Sequence, residues 1–289
     1  MEAAAPAARP AAAQPTSSQP PDTQPPEQGG KVKAAPERRL GLTVRGWTLA
    51  GAALTVAALE LAPRLGLVDS YSLVPLSDMV VRAFTLLGDT RFLVDDLLPS
   101  LAAIAASFVL AAVLGILTGL LIWTVPAAQK ILDPWLATYY AIPTFALYPL
   151  LVVVLGVGMV PIILLGTLFA VVAMISSTVD GLRSIPRSVL KLSDVLRLNP
   201  AQRTFKVLLP AALPQINVGL RLALSYSLIM VLASEFVLST SGLGHFISNA
   251  YNDFAITDMY AGVLLVFALA LGVNAAFAAL LKRSSKGMQ

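Results

Sequence analysis

Residues 98–123 read LPSLAAIAASFVLAAVLGILTGLLIW. Nothing in the run ionises, and wound as an α-helix it is about 39 Å long, enough to cross the roughly 30 Å hydrocarbon core of a bilayer. Five further runs are similarly apolar: about 44–62, 134–155, 160–179, 216–238 and 260–281. Of all 289 residues, 57% are hydrophobic and 12% charged, about half the charged share of a soluble domain. Such a chain cannot coat itself for water, so lipid must solvate much of its surface. The expected fold is an all-α integral membrane protein with six transmembrane helices, the third and fourth separated only by Gly156–Met159.

Six crossings put both termini on one side, and Lys and Arg say which. With the N-terminus inside, the inner segments hold Lys31, Lys33, Arg38, Arg39, Arg45 and Lys130, then Arg183, Arg187, Lys191, Arg197, Arg203 and Lys206, and finally Lys282, Arg283 and Lys286. The outer segments hold Arg64, Arg82 and Arg91 against Asp69, Asp78, Asp89, Asp95 and Asp96, and residues 239–259 have no Lys or Arg. Both termini are therefore expected in the cytoplasm. Residues 1–39, rich in Ala, Pro, Gln and Ser, lack the bulk for a core and read as a disordered cytoplasmic tail rather than a signal peptide. Residues 40–283 form the expected spanning domain and 284–289 a second short tail. Within the outer segment 76–88, Met79, Val80, Ala83, Phe84 and Leu87 make a helical stripe too short to span. It is expected on the membrane surface or under the outer loops.

With no cysteine, disulfides, thiolate metal sites and cysteine catalysis are excluded. A lone His245 offers no histidine metal cluster, and no metal site is expected. No Gly-x-x-x-x-Gly-Lys-Ser/Thr loop occurs, so the chain has no ATP chemistry of that kind.

The longest inner connection, 180–215, reads as two short helices joined by a turn. Pro186 opens the first, over Arg187 to Leu196. Asn199 then has the chemistry of an N-cap, with Pro200 at the first helical position, where its missing N–H costs nothing. The second helix is expected over Ala201 to Leu209, stopped by Pro210, with Pro214 leading into the fifth span. A basic helical pair with Val207, Leu208 and Leu209 reads as a docking surface for another protein, because such residues are costly to leave wet.

The stretch Asp180-Gly-Leu-Arg-Ser-Ile-Pro186, followed by Phe205-Lys-Val-Leu-Leu-Pro-Ala-Ala-Leu-Pro214, resembles the cytoplasmic signature, or EAA loop, of binding-protein-dependent ABC transporter permeases. Leu97-Leu-Pro-Ser-Leu101 with Gly115 and Gly119, Ala141-Ile-Pro143 with Pro149-Leu-Leu151, and Ser241-Gly-Leu-Gly-His-Phe-Ile247 are similar to its nitrate, sulfonate and taurine branch. The likeness runs over about 45–283. It implies the type I ABC importer permease fold, with a cytoplasmic coupling helix that inserts into an ATPase subunit. The coupling set it implies is Arg187, Lys191, Asp194, Arg197, Asn199, Pro200, Phe205, Leu209 and Pro210. The implied partners are an ABC ATPase subunit, a second permease subunit of the same or related sequence, an extracytoplasmic solute-binding protein and the bilayer of a bacterial plasma membrane, with no nucleic acid. Cofactors are expected on the ATPase alone, as ATP and Mg. The expected function is import of a small solute, an organic or inorganic anion such as a sulfonate, taurine or nitrate, by a chain that is not itself an enzyme.

Five positions depart from the family pattern. Aligned on Leu209-Pro210, the usual Glu-Ala-Ala falls on Lys191-Leu192-Ser193, a commonly basic position on Asp194, and the usual Gly on Arg197. Two reversed charges imply a dedicated ATPase whose groove presents an acid to Lys191.

Candidate pathway or gate residues are Tyr139, Pro143, Pro149, Glu235, Ser241, Gly242 and Gly244. Proline frees carbonyls and bends spans, and broken helices recur at transport sites. Glu235 is an expensive intramembrane acid that either lines a cavity or interface, or snorkels to the surface. It stands about 21 Å along the helix from Arg221, too far to pair. The glycines of Ser241–Gly244 permit positive φ for a gate or an ordinary turn, and Gly115 with Gly119 permits close helix contact. A self-sufficient channel or ion-coupled carrier is the rival reading; it would ordinarily show more intramembrane acids or two related halves.

Because the chain lacks cysteine, topology is testable with single thiols: Ser188→Cys should react with an impermeant maleimide only from the inner face. Reaction from outside on intact cells would overturn the orientation.

Overall fold

The computed structural model describes the backbone of residues 37–69, 72–125, 127, 128, 131, 134, 138, 139 and 143–286, and the side chains of these except 37–45, 238 and 283–286. Of the tail expected over 1–39, residues 1–36 lie outside the described residues, as do Lys130, Tyr140, Ala141, Ile142 and 287–289. Two units are distinguished, 1–50 and 51–289; of the first, only the start of one helix is described.

That helix, α1 (Glu37–Arg64), begins before the apolar run, taking in residues expected in the tail. The helices that follow are α2 (Leu76–Leu87), α3 (Leu98–Thr124), α4 (Tyr148–Leu155), α5 (Met159–Arg183), α6 (Arg187–Val195), α7 (Leu209–Leu238), α8 (Leu243–Asn252) and α9 (Ile256–Lys286). Five helical stretches among the described residues are long and apolar enough to cross a membrane: Gly46–Arg64, Thr90–Thr124, Met159–Arg183, Pro200–Val237 and Ile256–Lys282. The third expected span, 134–155, is described in part. Its described end is a 3-10 turn, Thr144–Leu147, running into α4.

In unit 51–289 the core is α5 packed between α3 and α7. Small residues set the spacing. A Cβ added at Gly115 would lie 2.5 Å from Met174 Cβ, at Gly119 2.7 Å from Thr178 Cβ, at Gly166 2.6 Å from Ser107 Oγ and at Gly219 2.5 Å from Ser177 Cβ. Lipid tails offer no hydrophobic drive to pair helices, so close van der Waals contact must supply it. The packing use expected of Gly115 and Gly119 is the one observed. Around these contacts, Ile104, Tyr148, Ile162, Leu165, Leu228 and Val231 fill one cluster, and Ala111, Met174, Leu182, Ile185, Leu208 and Ile216 another. Several buried hydroxyls are satisfied within the bundle: Ser107 Oγ donates to the Ile163 carbonyl at 3.1 Å and Thr178 Oγ1 to that of Met174 at 2.7 Å, as a medium without water favours.

Two spans open the same way. Before α3 lies a wide π-helical turn, Leu93–Leu97, and before α7 another, Thr204–Leu208. In each, an N–H reaches back five residues, Leu98 to Leu93 and Leu209 to Thr204. A proline follows at once, Pro99 or Pro210. Its ring collides with the carbonyl four residues back and it offers no N–H; a turn widened ahead of it relieves both conflicts.

Helix α2 buries Met79, Ala83 and Leu86 and leaves Val81 and Phe84 exposed. Of the expected stripe, Met79 and Ala83 face inward and Phe84 does not. The helix is pinned at its start and at its middle. Glu60 accepts from Ser77 N–H at 3.0 Å and Ser77 Oγ at 2.9 Å, and pairs with Arg64 at 2.6 Å; it thereby caps a helix whose N-cap, Pro75, has no side chain to do so. Farther along, Arg82 grips Asp258 of α9 through Nε and through Nη2, the latter at 3.1 Å. This hydrogen-bonded partner raises the guanidinium above its usual pKa.

If glycine contact sets the spacing, Gly115→Leu should lower the thermal midpoint of the detergent-solubilised protein, at a cost of about 1–3 kcal/mol or more. An unchanged midpoint would mean that α3 and α5 are not held at this distance.

Candidate functional site

Two clusters lie at opposite ends of the α5–α7 pair: an elbow between these helices, and a joint where α8 folds back after α7.

At the elbow, Gly181 brings the end of α5 against α7; a Cβ there would lie 3.1 Å from the Ala212 carbonyl and from Gln215 Cβ. Pro186 is the N-cap of α6, which ends at Val195. Arg197 then holds φ +49°, a left-handed conformation costing an L-residue roughly 1–2 kcal/mol. The backbone thus still makes the demand that a glycine would meet. Asn199 closes a reciprocal cap: its side chain accepts from Gln202 N–H at 2.7 Å while Gln202 Oε1 accepts from Asn199 N–H at 3.2 Å. Pro200 opens the short helix as expected. The expected stop at Pro210 does not occur. The short helix Pro200–Arg203 runs through the wide turn into α7, and Pro210 and Pro214 are both inside helical backbone.

The wide turn also decides which apolar groups stay outside. Leu208 is buried, and Val207 and Leu209 are half-buried. Leu208 and Leu209 belong to the cluster with Leu182, Ile185, Ile216, Val189 and Leu190, so the residues first expected to face a partner are covered by their own chain. The exposed apolar groups are Leu192, Val195 (77%), Leu196 and Phe205 (68%). Arg187 and Lys191 are exposed beside them. Asp194 is bridged to Arg203 at 3.0 Å, tying α6 to the next helix. Of Lys191-Leu192-Ser193, only Ser193 turns inward, fully packed, with Oγ donating to the Leu190 carbonyl at 2.6 Å. A small residue is required there.

At the other end, Glu235 has no solvent exposure. It neither snorkels nor opens onto a cavity of its own chain. Its Oε2 accepts from Ser100 Oγ at 2.6 Å and from Gly244 N–H at 3.1 Å, and Ser100 Oγ accepts from Leu243 N–H at 2.7 Å. Gly242 has φ +106°, and a Cβ on it would lie 2.4 Å from Glu235 Cδ. Ser239 Oγ donates to the Ser241 carbonyl at 2.7 Å and closes the turn. His245 pairs with Asn249 at 2.8 Å. Beside the joint is a cleft of about 340 Å3 walled by Asp95, Asp96, Asp253 and Asp258. Asp258 is paired with Arg82, and the other three carboxylates, with no Lys or Arg in the lining, repel an anion. Among the described residues no group of three or more His, Cys, Asp or Glu is placed to hold a metal.

The remaining candidates belong to the third expected span. Tyr139 Oη donates to the Leu168 carbonyl of α5 at 3.0 Å. Pro143 caps the 3-10 turn, and Pro149 falls in the first turn of α4, where its missing N–H disturbs nothing. The helix break lies at 143–147 rather than at Pro149. Sequence reasoning missed Ser100 and the buried Tyr148, and placed Ser193 at a signature alanine without giving it a role. The signal for Ser100 was its place directly after Pro99 in a stretch already singled out.

Against known proteins, residues 111–289 match the family described as binding-protein-dependent transport system inner membrane component. The bicarbonate transport system permease protein CmpB of Synechocystis sp. is 33% identical over 191 residues, covering 66% of this chain and 68% of that one. The taurine transport system permease protein TauC of Escherichia coli is 32% identical over 232 residues, covering 76% of this chain and 81% of its own. A chain in an inward-facing structure of the MetNI methionine ABC transporter superposes with a TM-score of 0.54 at 22% identity, over 64% of this chain and 92% of that one, a likeness of fold. The family match contains the elbow, the four packing glycines and, of the joint, Glu235 with Gly242–Gly244, and the chain belongs to the binding-protein-dependent ABC transporter permease family.

Proposed function

We propose that this chain is the membrane-spanning subunit of an importer that draws a small anion inward, driven by ATP hydrolysis on a separate subunit. The observation that carries the reading is the elbow: a capped, ion-paired helical unit that leaves Leu192, Val195, Leu196 and Phe205 exposed beside Arg187 and Lys191. An apolar patch with a basic border on a rigid mount is suited to a protein groove. In this reading α6 is the coupling helix, and Arg187, Lys191, Asp194, Arg197, Asn199, Pro200, Phe205, Leu209 and Pro210 build or present it. Residues 134–155 complete a sixth span, the elbow and both termini are cytoplasmic, and residues 1–39 and 284–289 flank the spanning domain 40–283.

Two permease subunits enclose one route, two ATPases bearing ATP and Mg bind below, and a solute-binding protein delivers from outside. Closure of the ATPases pulls the elbows together and turns the route outward; hydrolysis resets it. Tyr139, Pro143 and Pro149, at the break in the third span, are proposed for the route, and Glu235, Ser241, Gly242 and Gly244, which were expected at the pathway or gate, for the fixed frame behind the outer gate rather than for a part of it that moves. The anion class rests on the names of the taurine and bicarbonate relatives. Reversed charges at Lys191 and Asp194 favour a dedicated ATPase with an acid facing Lys191.

The chain purified by a tag from its native membrane should bring down a soluble ATPase; its absence under conditions that keep the membrane protein folded would sink the proposal. Leu192→Asp and Phe205→Asp should each abolish that association without lowering the amount of membrane protein. Asn199→Ala, which removes the cap, should cost about 1 kcal/mol and weaken association about fivefold; binding at full strength would show that the cap does not preorganise the elbow.

A further inference from the structure

The joint around Glu235 has the features of a fastening rather than of a moving part. The first N–H groups of a helix have no partner within it. Three of those at the start of α8 are supplied from elsewhere: Gly242 N–H donates to the Asp95 carbonyl at 3.3 Å, Leu243 N–H to Ser100 Oγ at 2.7 Å and Gly244 N–H to Glu235 Oε2 at 3.1 Å. The Asp95 carbonyl is open to this because its ordinary donor, four residues on, would be Pro99. The Ser100 hydroxyl completes the ring by donating to Glu235 Oε2 at 2.6 Å. Nothing larger than glycine fits the turn, since a Cβ at Gly244 would lie 2.5 Å from the Leu232 carbonyl and one at Gly242 2.4 Å from Glu235 Cδ. Ser100, Glu235 and Leu243 have no solvent exposure. Phe92 meets Phe246 edge to face at 5.0 Å, within a cluster that includes Ala83, Leu86, Leu243 and Ala261.

We propose that Ser100 and Glu235 are positioning residues that fasten α8 to the outer ends of α3 and α7, so that the three move as one rigid block and the joint stays closed throughout the transport cycle. Opening it would strand three N–H groups and a carboxyl group where no water replaces their partners. A residue touching solute must reach an aqueous route, whereas Glu235 is enclosed by its own chain. Its Oε2 makes both bonds and Oε1 makes none, so the joint needs an acceptor at that point and not a charge. The proposal rests on the importer reading but fails separately from it.

In the complex purified with its ATPase, Glu235→Gln should keep ATP hydrolysis near that of the parent, while Glu235→Ala should lower it about tenfold by leaving buried donors unpaired. Asp95→Cys/Thr240→Cys places two thiols on the exposed wall of the cleft of a cysteine-free chain. Cross-linking that pair with a short reagent should leave hydrolysis unchanged. Arrest by the cross-link with recovery on cleaving it, or a Glu235→Gln variant as inactive as Glu235→Ala, would overturn the proposal. Full activity in Glu235→Ala would do the same. Hydrogen exchange at Gly242–Gly244 reads the joint even where no ATPase accompanies the chain: protection should persist in Glu235→Gln and vanish in Glu235→Ala, and equal protection in both counts against it.

Discussion

Close approach of α5 to α3 and α7 is the constraint on which the rest depends. Gly115, Gly119, Gly166 and Gly219 sit where any side chain would occupy space already held by Met174, Thr178, Ser107 or Ser177. In lipid, attraction between helices comes from contact area and from polar groups that have no water to return to. Four positions without a Cβ therefore do for this bundle what a hydrophobic core does for a soluble protein. The three helices fixed in this way give both ends of the molecule their reference frame, since the elbow leaves from α5 and enters α7, and the joint fastens to α3 and α7.

Proline acts at both ends through one mechanism. Leu97-Leu98-Pro99 and Leu208-Leu209-Pro210 each follow a widened turn that continues directly into a span. At the joint, the carbonyl that Pro99 leaves without a donor is the one that receives Gly242 N–H. At the elbow, the same device carries the chain from the short helix into α7 without a break, burying Leu208 and leaving Phe205 outside. A stiff connection between a surface unit and a spanning helix is what a force-bearing element requires, and the reciprocal cap at Asn199 with the Asp194–Arg203 bridge keeps the two short helices in one geometry.

The elbow also carries the departures from the signature that its sequence resembles. Arg197 occupies a left-handed backbone conformation that a glycine would adopt at less energetic cost. Asp194, whose sign departs from the pattern, is paired within its own chain by Arg203. Lys191, the other departure, is exposed, so the two reversals differ in kind: one is absorbed internally and one is presented outward.

Length, apolar runs and the proline, asparagine and glycine positions were enough to determine the class of fold, five of the six expected spans, the cap at Asn199 and the packing use of Gly115 and Gly119. These are local matters: a run without charges must lie in lipid, and an Asn-Pro pair ahead of a helical stretch has one favourable backbone arrangement. Tertiary structure alone decided which side chains are outside and which polar groups meet. Leu208 and Phe205 are equally apolar in sequence, yet a turn of five rather than four residues rotates one inward and the other outward. Glu235 and Ser100 are 135 residues apart, and nothing local in either segment records the other. Their meeting is a product of the α3–α5–α7 spacing, which brings two distant ends within one hydrogen bond.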